Sequence, residues 1–405
     1  MISLPPKEKI TSPPKGREEA PVITLLSHLL VKAHEFRASD LHLEPLPDSV
    51  RLRFRIDGVL EEIQVLSKKL QEPLVNRLKI MSGSMDIAEK RLPQEGRFQF
   101  SCGAKMFDIR ISILPTVYGE SVVLRFLDRS SLSLGLHELG LEKEDQNILK
   151  KLIAMPHGLL LVTGTTGSGK TTTLYTCLEE LKETNAKIIT VEDPIEYQLP
   201  GINQVQVQKN IGRTFASVLR ASLRQATNTI MVGEIRDAET AQITINASLT
   251  GHLILSSLHT NDAPSAIMRL EDMKIPHFLI TSTLHAIIAQ RLVRRLCPHC
   301  KVPATFTPYE DKIFGLNEIT SPINTPMKAF GCAQCQGKGF QGRLGIFEIL
   351  LINDSLRDAI QKKQTITHLR AHARNQGMRT LREDGLKKVL AGLTTVQEVL
   401  AQTLF

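Results

Sequence analysis

A chain of 405 residues, 42% hydrophobic and 23% charged, has the composition of an ordinary globular protein and length for two to four domains. That excludes a disordered polymer, a collagen and a small disulfide scaffold, and allows a sizeable core without covalent staples. The 50 Lys and Arg against 42 Asp and Glu leave a net charge of +8, which permits nucleotide, lipid headgroups or nucleic acid as partners without demanding any.

Residues 1–20, with Pro5-Pro6, Pro13-Pro14 and few apolar positions, read as a flexible tail. The tail lacks the apolar stretch of a secretory signal, and no run of about 18 apolar residues predicts a transmembrane helix anywhere. Val22, Leu26, Leu29, Ala33 and Phe36 recur at helical spacing and predict an amphipathic helix over 21–37. Strict alternation over 50–56 sets Val50, Leu52, Phe54 and Ile56 against Arg51, Arg53 and Arg55, a half-buried strand with a basic outer face. Asp57-Gly58 predicts a turn into a second strand over 59–65. A helix over 68–81 and strands near 96–102, 105–113 and 119–128 complete a mixed α+β domain, residues 21–130. In the second of those strands Arg110 falls on the polar face.

A linker is expected at 131–141. Beyond it a helix around 142–154 leads into a βα succession, with an apolar strand at 158–163, a helix over 174–181 and buried-strand candidates at 188–191, 230–232 and 253–255. Strands alternating with helices predict an α/β domain with a largely parallel sheet over 142–296. A cysteine-bearing segment, 297–340, follows. From Gly345 the pattern reads as helical, giving a C-terminal helical region at 341–405 in which Gly392 stops one helix and Thr395 with Glu398 caps the last.

Gly164-Thr165-Thr166-Gly167-Ser168-Gly169-Lys170-Thr171 matches G-x-x-x-x-G-K-[ST] and stands between an apolar strand and a helix start, the context in which the motif has meaning. Small residues let backbone N–H groups approach phosphates at the positive end of the helix. Lys170 can reach the β- and γ-phosphates, and the Thr171 hydroxyl can ligate Mg²⁺. Gly164 to Thr171 together with Thr172 form the candidate nucleotide-binding set. The plainer readings are a chance glycine turn and a loop that binds nucleotide without hydrolysing it. Ile230-Met231-Val232-Gly233-Glu234 is an apolar strand ending in a carboxylate, so Glu234 is the candidate for the Mg²⁺–water network, or else a solvated strand end. Glu192-Asp193-Pro194 ends another such strand, and ligands of parallel sheets bind at that edge. A carboxylate there can polarise the attacking water, or the Asp-Pro pair merely begins a turn.

These residues carry a family resemblance. Thr190-Val191-Glu192-Asp193-Pro194-Ile195-Glu196-Tyr197 resembles the Asp box of the secretion ATPase superfamily, the segment from Gly251-His252 to His259-Thr260-Asn261-Asp262-Ala263 resembles its His box, and Gly233-Glu234-Ile235-Arg236-Asp237 resembles its Walker B. From about residue 21 to the C-terminus the chain is similar to the GspE/PulE/PilB family of type II secretion and type IV pilus assembly ATPases. The resemblance implies a RecA-like P-loop motor domain preceded by a PAS-like domain. It implies a homo-hexamer that hydrolyses ATP at its subunit interfaces and drives pseudopilus or pilus assembly through an inner-membrane platform protein. The chain would be cytoplasmic, peripheral at the inner membrane. Arg110 and Arg125 match first-lobe arginines that reach the phosphates, and Arg220, Arg224, Arg236 and Arg269 fall at family arginine positions. Arg220 and Arg224, four apart, share one face of a predicted helix. His259 is implied to sense the γ-phosphate, where the residue alone reads as packing. The implied catalytic set is Glu192, Glu234, Arg110, Arg125 and His259, with ATP, Mg²⁺ and Zn²⁺ as cofactors.

Two departures stand out. The family's Leu-Arg-Gln-Asp-Pro-Asp before Walker B is Leu223-Arg224-Gln225-Ala226-Thr227-Asn228 here, which loses two acids and motivates a nucleotide-gated scaffold with little turnover. The short tail stands where fuller-length members carry a membrane-docking domain, so recruitment is expected through another surface.

Cys297-Pro298-His299-Cys300 and Cys332-Ala333-Gln334-Cys335, 31 residues apart, offer four thiolates to a closed tetrahedral Zn²⁺ site, with a redox or disulfide pair as the alternative. The segment is poor in apolar residues, so metal would supply its folding energy. Assembly-type members of the resembled family carry such an element and retraction ATPases lack it, which argues against a retraction motor. Cys102 and Cys177 read as packed residues. The basic face of Arg51, Arg53 and Arg55 raises a nucleic-acid motor as a competing class, but no aromatic interleaving supports base stacking and Trp is absent, so direct nucleic-acid binding is not expected. Type II secretion is the leading reading and type IV pilus extension, including DNA uptake, the alternative.

Overall fold

A computed structural model describes residues 19–102, 105–127, 135–182, 186–314 and 325–404. The tail expected at 1–20, apart from its last two residues, and positions 131–134 of the expected linker lie outside them. The chain divides into two units between Arg129 and Ser130.

The first unit runs α1 (Glu19–Glu35), β1 (Ala38–Pro45), β2 (Ser49–Ile56), β3 (Val59–Ser67), α2 (Gln71–Ser82), β4 (Gln94–Cys102), β5 (Lys105–Thr116) and β6 (Gly119–Leu127). Its six strands form one antiparallel sheet in the order β3-β2-β1-β6-β5-β4. Alternation decides the faces. Leu41, Leu43, Leu52, Phe54, Ile109, Ile111 and Leu124 point into a core closed by Leu26, Leu29 and Leu30 of α1 and Leu74 and Leu78 of α2. Asp57 at φ 49° and Gly58 at φ 89° make the tight β2–β3 turn that their pairing predicts. The sequence reading named no strand between the helix at 21–37 and the strand at 50–56, where β1 lies. Two leucines alone carry its alternation, and its outward Asp40 and Glu44 are stabilised by arginines of other strands.

The second unit runs α3 (Lys143–Ile153), β7 (Gly158–Thr163), α4 (Lys170–Lys182), β8 (Ile188–Glu192), β9 (Asn203–Gln206), α5 (Phe215–Ser222), β10 (Thr229–Val232), α6 (Ala238–Leu249), β11 (Leu253–Leu258), α7 (Ala263–Asp272), α8 (His277–Thr283), β12 (Leu284–Leu296), β13 (Val302–Pro303), α9 (Pro308–Phe314), β14 (Met327–Lys328), β15 (Phe340–Leu351), α10 (Asp354–Gln361), α11 (Ile366–Asn375), α12 (Leu381–Leu390) and α13 (Val396–Thr403). Seven strands form a sheet in the order β15-β12-β7-β11-β10-β8-β9, parallel throughout except for β15 against β12. Strands β7, β8, β10 and β11 are buried at every position because helices cover both faces, one core containing Leu159, Leu161, Ile230 and Ile254, the other Leu160, Val162, Leu174 and Leu255. Among the described residues no helix is long and apolar enough to cross a membrane.

Two sequence expectations change. The pattern after Gly345 is strand, not helix: β15 pairs with β12 from Leu296↔Phe340 to Ala286↔Leu351, and the helices begin at Asp354. Leu344 to Phe347 is a short run without charge and buried on both faces, where periodicity cannot separate strand from helix. Arg224 does not share a helix face with Arg220. Helix α5 stops at Ser222, whose carbonyl accepts the Thr227 hydroxyl at 3.1 Å, and Ala226 takes a positive φ of 49°.

Candidate nucleotide site and tetracysteine centre

Sheet polarity gathers the site. β7, β11, β10 and β8 run parallel in register, with Thr163 beside Leu258, Ser256 beside Val232 and Val232 beside Val191. The loop 164–171, His259, Glu234 and Glu192 therefore all emerge at one edge of the second unit.

The loop closes on its own lysine. Lys170 Nζ donates to the carbonyls of Gly164 and Thr165 at 2.8 and 3.0 Å. Burial pushes its pKa down to about 8 and the Arg291 charge adds to that, against the pull of Glu234. A phosphate in place of the two carbonyls would favour the charged form. Thr165, Thr166, Gly167 and Thr171 are exposed along the rim, Gly169 and Thr172 are half-buried, and Ser168 is buried with its hydroxyl unpartnered. An open rim of N–H and hydroxyl donors with one unsatisfied buried hydroxyl fits an anionic ligand. Thr163 Oγ1 lies 2.7 Å from Thr260 Oγ1 and accepts the Thr260 N–H at 2.9 Å, which fixes the loop after β11 against the strand that feeds the phosphate loop.

Glu234 contacts Arg236 and lies 3.2 Å from His259 Nε2. Burial alone would raise its pKa, but those two neighbours outweigh it and hold the carboxyl below its usual value. An ionised carboxylate beside the lysine is what a metal–water network needs. Glu192 is set differently. The residue is 3% exposed, and its carboxylate accepts from Tyr175, Thr190 and Gln204. Burial raises its pKa in spite of those donors. Tyr175 of α4 is thus a partner that sequence reading missed, because the contact joins helix and strand 17 residues apart.

Arg110 and Arg125 belong to the first unit and are direct cross-strand neighbours. Arg110 bonds Glu95 at 3.2 Å and Arg125 bonds Asp40 at 2.8 Å. Arg97 stands opposite Arg110 in the same row, a position the sequence did not single out. Like charges directly opposite one another cost stability, and the carboxylates of Glu95 and Asp40 offset that cost at Arg110 and Arg125. Of the other arginines, Arg220 pairs with Glu239 at 2.8 Å, Arg236 holds Glu234, and Arg224 and Arg269 are exposed.

Ala226, Thr227 and Asn228 lie at the far edge. Asn228 Oδ1 accepts the Lys187 N–H at 2.8 Å, just before β10 begins.

Cys297, Cys300, Cys332 and Cys335 bring their sulfurs within 4.8 Å of one another. The spacings of 3.9 Å for Cys297–Cys332 and 3.7 Å for both Cys300–Cys335 and Cys332–Cys335 match the edge of about 3.8 Å that a tetrahedron with ~2.3 Å metal–sulfur bonds requires. No described cysteine is in a disulfide. Burial would raise the Cys335 pKa, but N–H groups of Cys332 and Gly339 at 3.1 Å bring it down to about 6, toward the thiolate that a metal needs. Cys177 is fully buried, as expected of a packed residue.

A profile described as "Type II/IV secretion system protein" matches residues 15–401. The chain is 46% identical over 389 residues to the type II secretion system ATPase E of Vibrio cholerae, covering 96% of this chain and 76% of that protein. It is 45% identical over 398 residues to the type IV pilus assembly ATPase PilB of Myxococcus xanthus, covering 98% and 70%. The crystal structure of the pilus retraction motor PilT with bound ADP aligns over 93% of this chain and 96% of that one, with a TM-score of 0.62 at 25% identity. On the profile, the identities and the fold together, the chain belongs to the type II/IV secretion system protein family.

Proposed function

We propose that this chain is the ATP-hydrolysing motor of a type II secretion system, acting as a cytoplasmic homo-hexamer on an inner-membrane platform protein that feeds a growing pseudopilus. The observation that carries the reading is the single sheet edge where the loop 164–171, Glu234 and His259 meet, in a chain 46% identical to a type II secretion ATPase.

In this reading, backbone N–H groups of residues 164–169 cradle the phosphates, Lys170 leaves its two carbonyls for the β- and γ-phosphates, and Thr171 and Thr172 line the entry to α4. Mg²⁺ held with Thr171 would neutralise charge on the phosphates. Glu234, kept ionised by Arg236 and His259, orients the attacking water, while His259 reads the γ-phosphate. Glu192 is the second carboxylate of the set, held in place by its hydrogen bonds from Tyr175, Thr190 and Gln204. Arg110 and Arg125 supply positive charge to the transition state. The four cysteines would hold one structural Zn²⁺, which would supply folding energy to the 297–340 module.

A second reading, type IV pilus extension, is favoured by the 45% identity to PilB. A scaffold with little turnover is disfavoured because Ala226 and Asn228 lie at the sheet edge opposite the nucleotide site.

The test joins activity and capture. Mg²⁺-dependent ATPase activity should vanish in Lys170→Ala, and full retained activity overturns the assigned loop. Affinity capture with Glu234→Gln should enrich a polytopic membrane protein with secretion-channel components. Capture with pilus components instead would favour the second reading.

A further inference from the structure

We infer that Arg291, with Gln290 beside it, is a positioning residue that ties the phosphate loop to the loop carrying His259, so that holding nucleotide and reading its γ-phosphate share one buried strut. The inference rests on the ATPase reading above.

β12 runs beside β7 with Ile288 opposite Val162 and Ala289 opposite Thr163, so the next two residues lie beneath the phosphate loop as it leaves β7. Both are polar in an apolar strand, and both are buried, Gln290 at 2% and Arg291 at 1% exposure. Gln290 accepts the Thr173 hydroxyl of α4 at 2.7 Å. Its carbonyl lies 2.5 Å from where a side chain on Gly164 would begin, and its Nε2 lies 2.8 Å from where one on Gly169 would begin. The first and last glycines of the loop are thus required by its floor as well as by phosphate approach.

Arg291 extends the floor sideways. Its guanidinium donates to the Gln290 carbonyl at 3.0 Å and, through the other terminal nitrogen, to the carbonyl and side-chain oxygen of Asn261 at 2.9 and 3.3 Å. Asn261 stands two residues after His259. A buried guanidinium is tolerated only when its donors are matched and its charge is balanced. Glu348 and Asp262 supply the opposing charge. An apolar side chain would fill this space without a desolvation cost, so the arginine is explained by its directed bonds. Lysine, with one nitrogen and no planar fork, cannot span the Gln290 and Asn261 acceptors together. The Arg291 charge also reaches Lys170, adding to the positive field under the phosphates.

Two variants separate positioning from mere stability. Arg291→Lys keeps the charge and loses the fork. Asn261→Ala removes one acceptor at an exposed position and leaves the core intact. Dissociation constants for ADP and for a non-hydrolysable ATP analogue are measured with kcat and KM for ATP on the assembled protein. The expected result is a loss of about tenfold in the preference for the ATP analogue over ADP, with ADP affinity within about threefold of wild type, in both variants. An unchanged preference in both variants overturns the inference. A parallel loss of both nucleotides with a lowered melting temperature also overturns it, because it marks a structural role alone. Failure of the wild-type protein to bind either nucleotide would instead overturn the ATPase reading.

Discussion

Raising the pH should weaken nucleotide binding well before an ordinary lysine titrates. In the free protein Lys170 is held at about 8 rather than 10.5, first by burial and then by the Arg291 charge, with Glu234 opposing both. Bound phosphates place negative charge beside the ammonium and favour the protonated form, so the pKa of the complex lies higher than that of the free protein. Below about pH 8 the lysine is charged in both states and affinity is flat. Above it the free lysine is neutral, binding takes up a proton, and affinity falls by about tenfold, or ~1.4 kcal/mol, per pH unit until the bound lysine titrates in turn. From pH 8 to pH 10 the loss approaches ~100-fold. The assay is calorimetry with ADP between about pH 7 and pH 10 in two buffers of different ionisation enthalpy, with circular dichroism to verify the fold. A terminal phosphate titrates near pH ~6, so the ligand's charge is constant over the range. Proton uptake near one per nucleotide is expected at about pH 9. Constant affinity from about pH 7.5 to 9.5, or no proton uptake, would refute the reasoning.

Three further outcomes are expected. Cys332→Ser or Cys335→Ser should lower zinc from about one ion per chain to a small fraction and expose 297–340 to protease, measured by metal analysis and limited proteolysis; full zinc retention would count against the site. Asp384 and Lys388 form an ion pair with both side chains 1% exposed, and Asp384 also accepts the Phe347 N–H at 2.8 Å. Asp384→Ala should cost about 3–5 kcal/mol in urea unfolding by stranding a buried charge, and a loss below about 1 kcal/mol would show that the pair is relaxed into solvent. The double change Ala226→Asp, Asn228→Asp should leave kcat within about twofold, since Asp tolerates the positive φ at 226 and neither position faces the nucleotide edge. A tenfold rise in turnover would place those acids in the active site.

How much was legible follows from the range of each interaction. The phosphate loop, the strands that deliver Glu192, Glu234 and His259, and the four cysteines were readable because each is a local pattern whose meaning depends on a few neighbours. The alternation in β2 and β5 was readable for the same reason. What escaped depends on partners far along the chain. Gln290 and Arg291 interrupt an apolar run and look like a strand end; only the bonds to Thr173 and Asn261, 117 and 30 residues away, make them buried members of β12. Glu192 was legible as a strand-end carboxylate, but its burial behind Tyr175 and Gln204 was not. The strand β15 escaped because a run buried on both faces carries no period to read.

Sheet polarity also decides what a missing acid means. Along the sequence, Asn228 stands six positions before Glu234, and a loss of charge there looks like damage to the metal site. In the fold the two are separated by the whole of β10, Thr229–Val232, whose four residues span about 13 Å at ~3.3 Å each. Thr229 pairs with Ile188 and Leu253 at the strands' beginnings, whereas Val232 pairs with Val191 and Ser256 near their ends. The Asn228 side chain accepts the Lys187 N–H, a neutral contact that an amide makes as well as a carboxylate would, its carbonyl accepts the Leu253 N–H at 3.1 Å, and the Thr227 hydroxyl donates to the Ser222 carbonyl at the end of α5. The acids were lost from the end of the sheet that shapes helix and strand starts, and the end where the loop 164–171 emerges keeps its lysine, its carboxylates and its histidine. A departure from a family motif therefore has to be placed on the sheet before it is counted against catalysis, and placed there this one leaves the case for turnover intact.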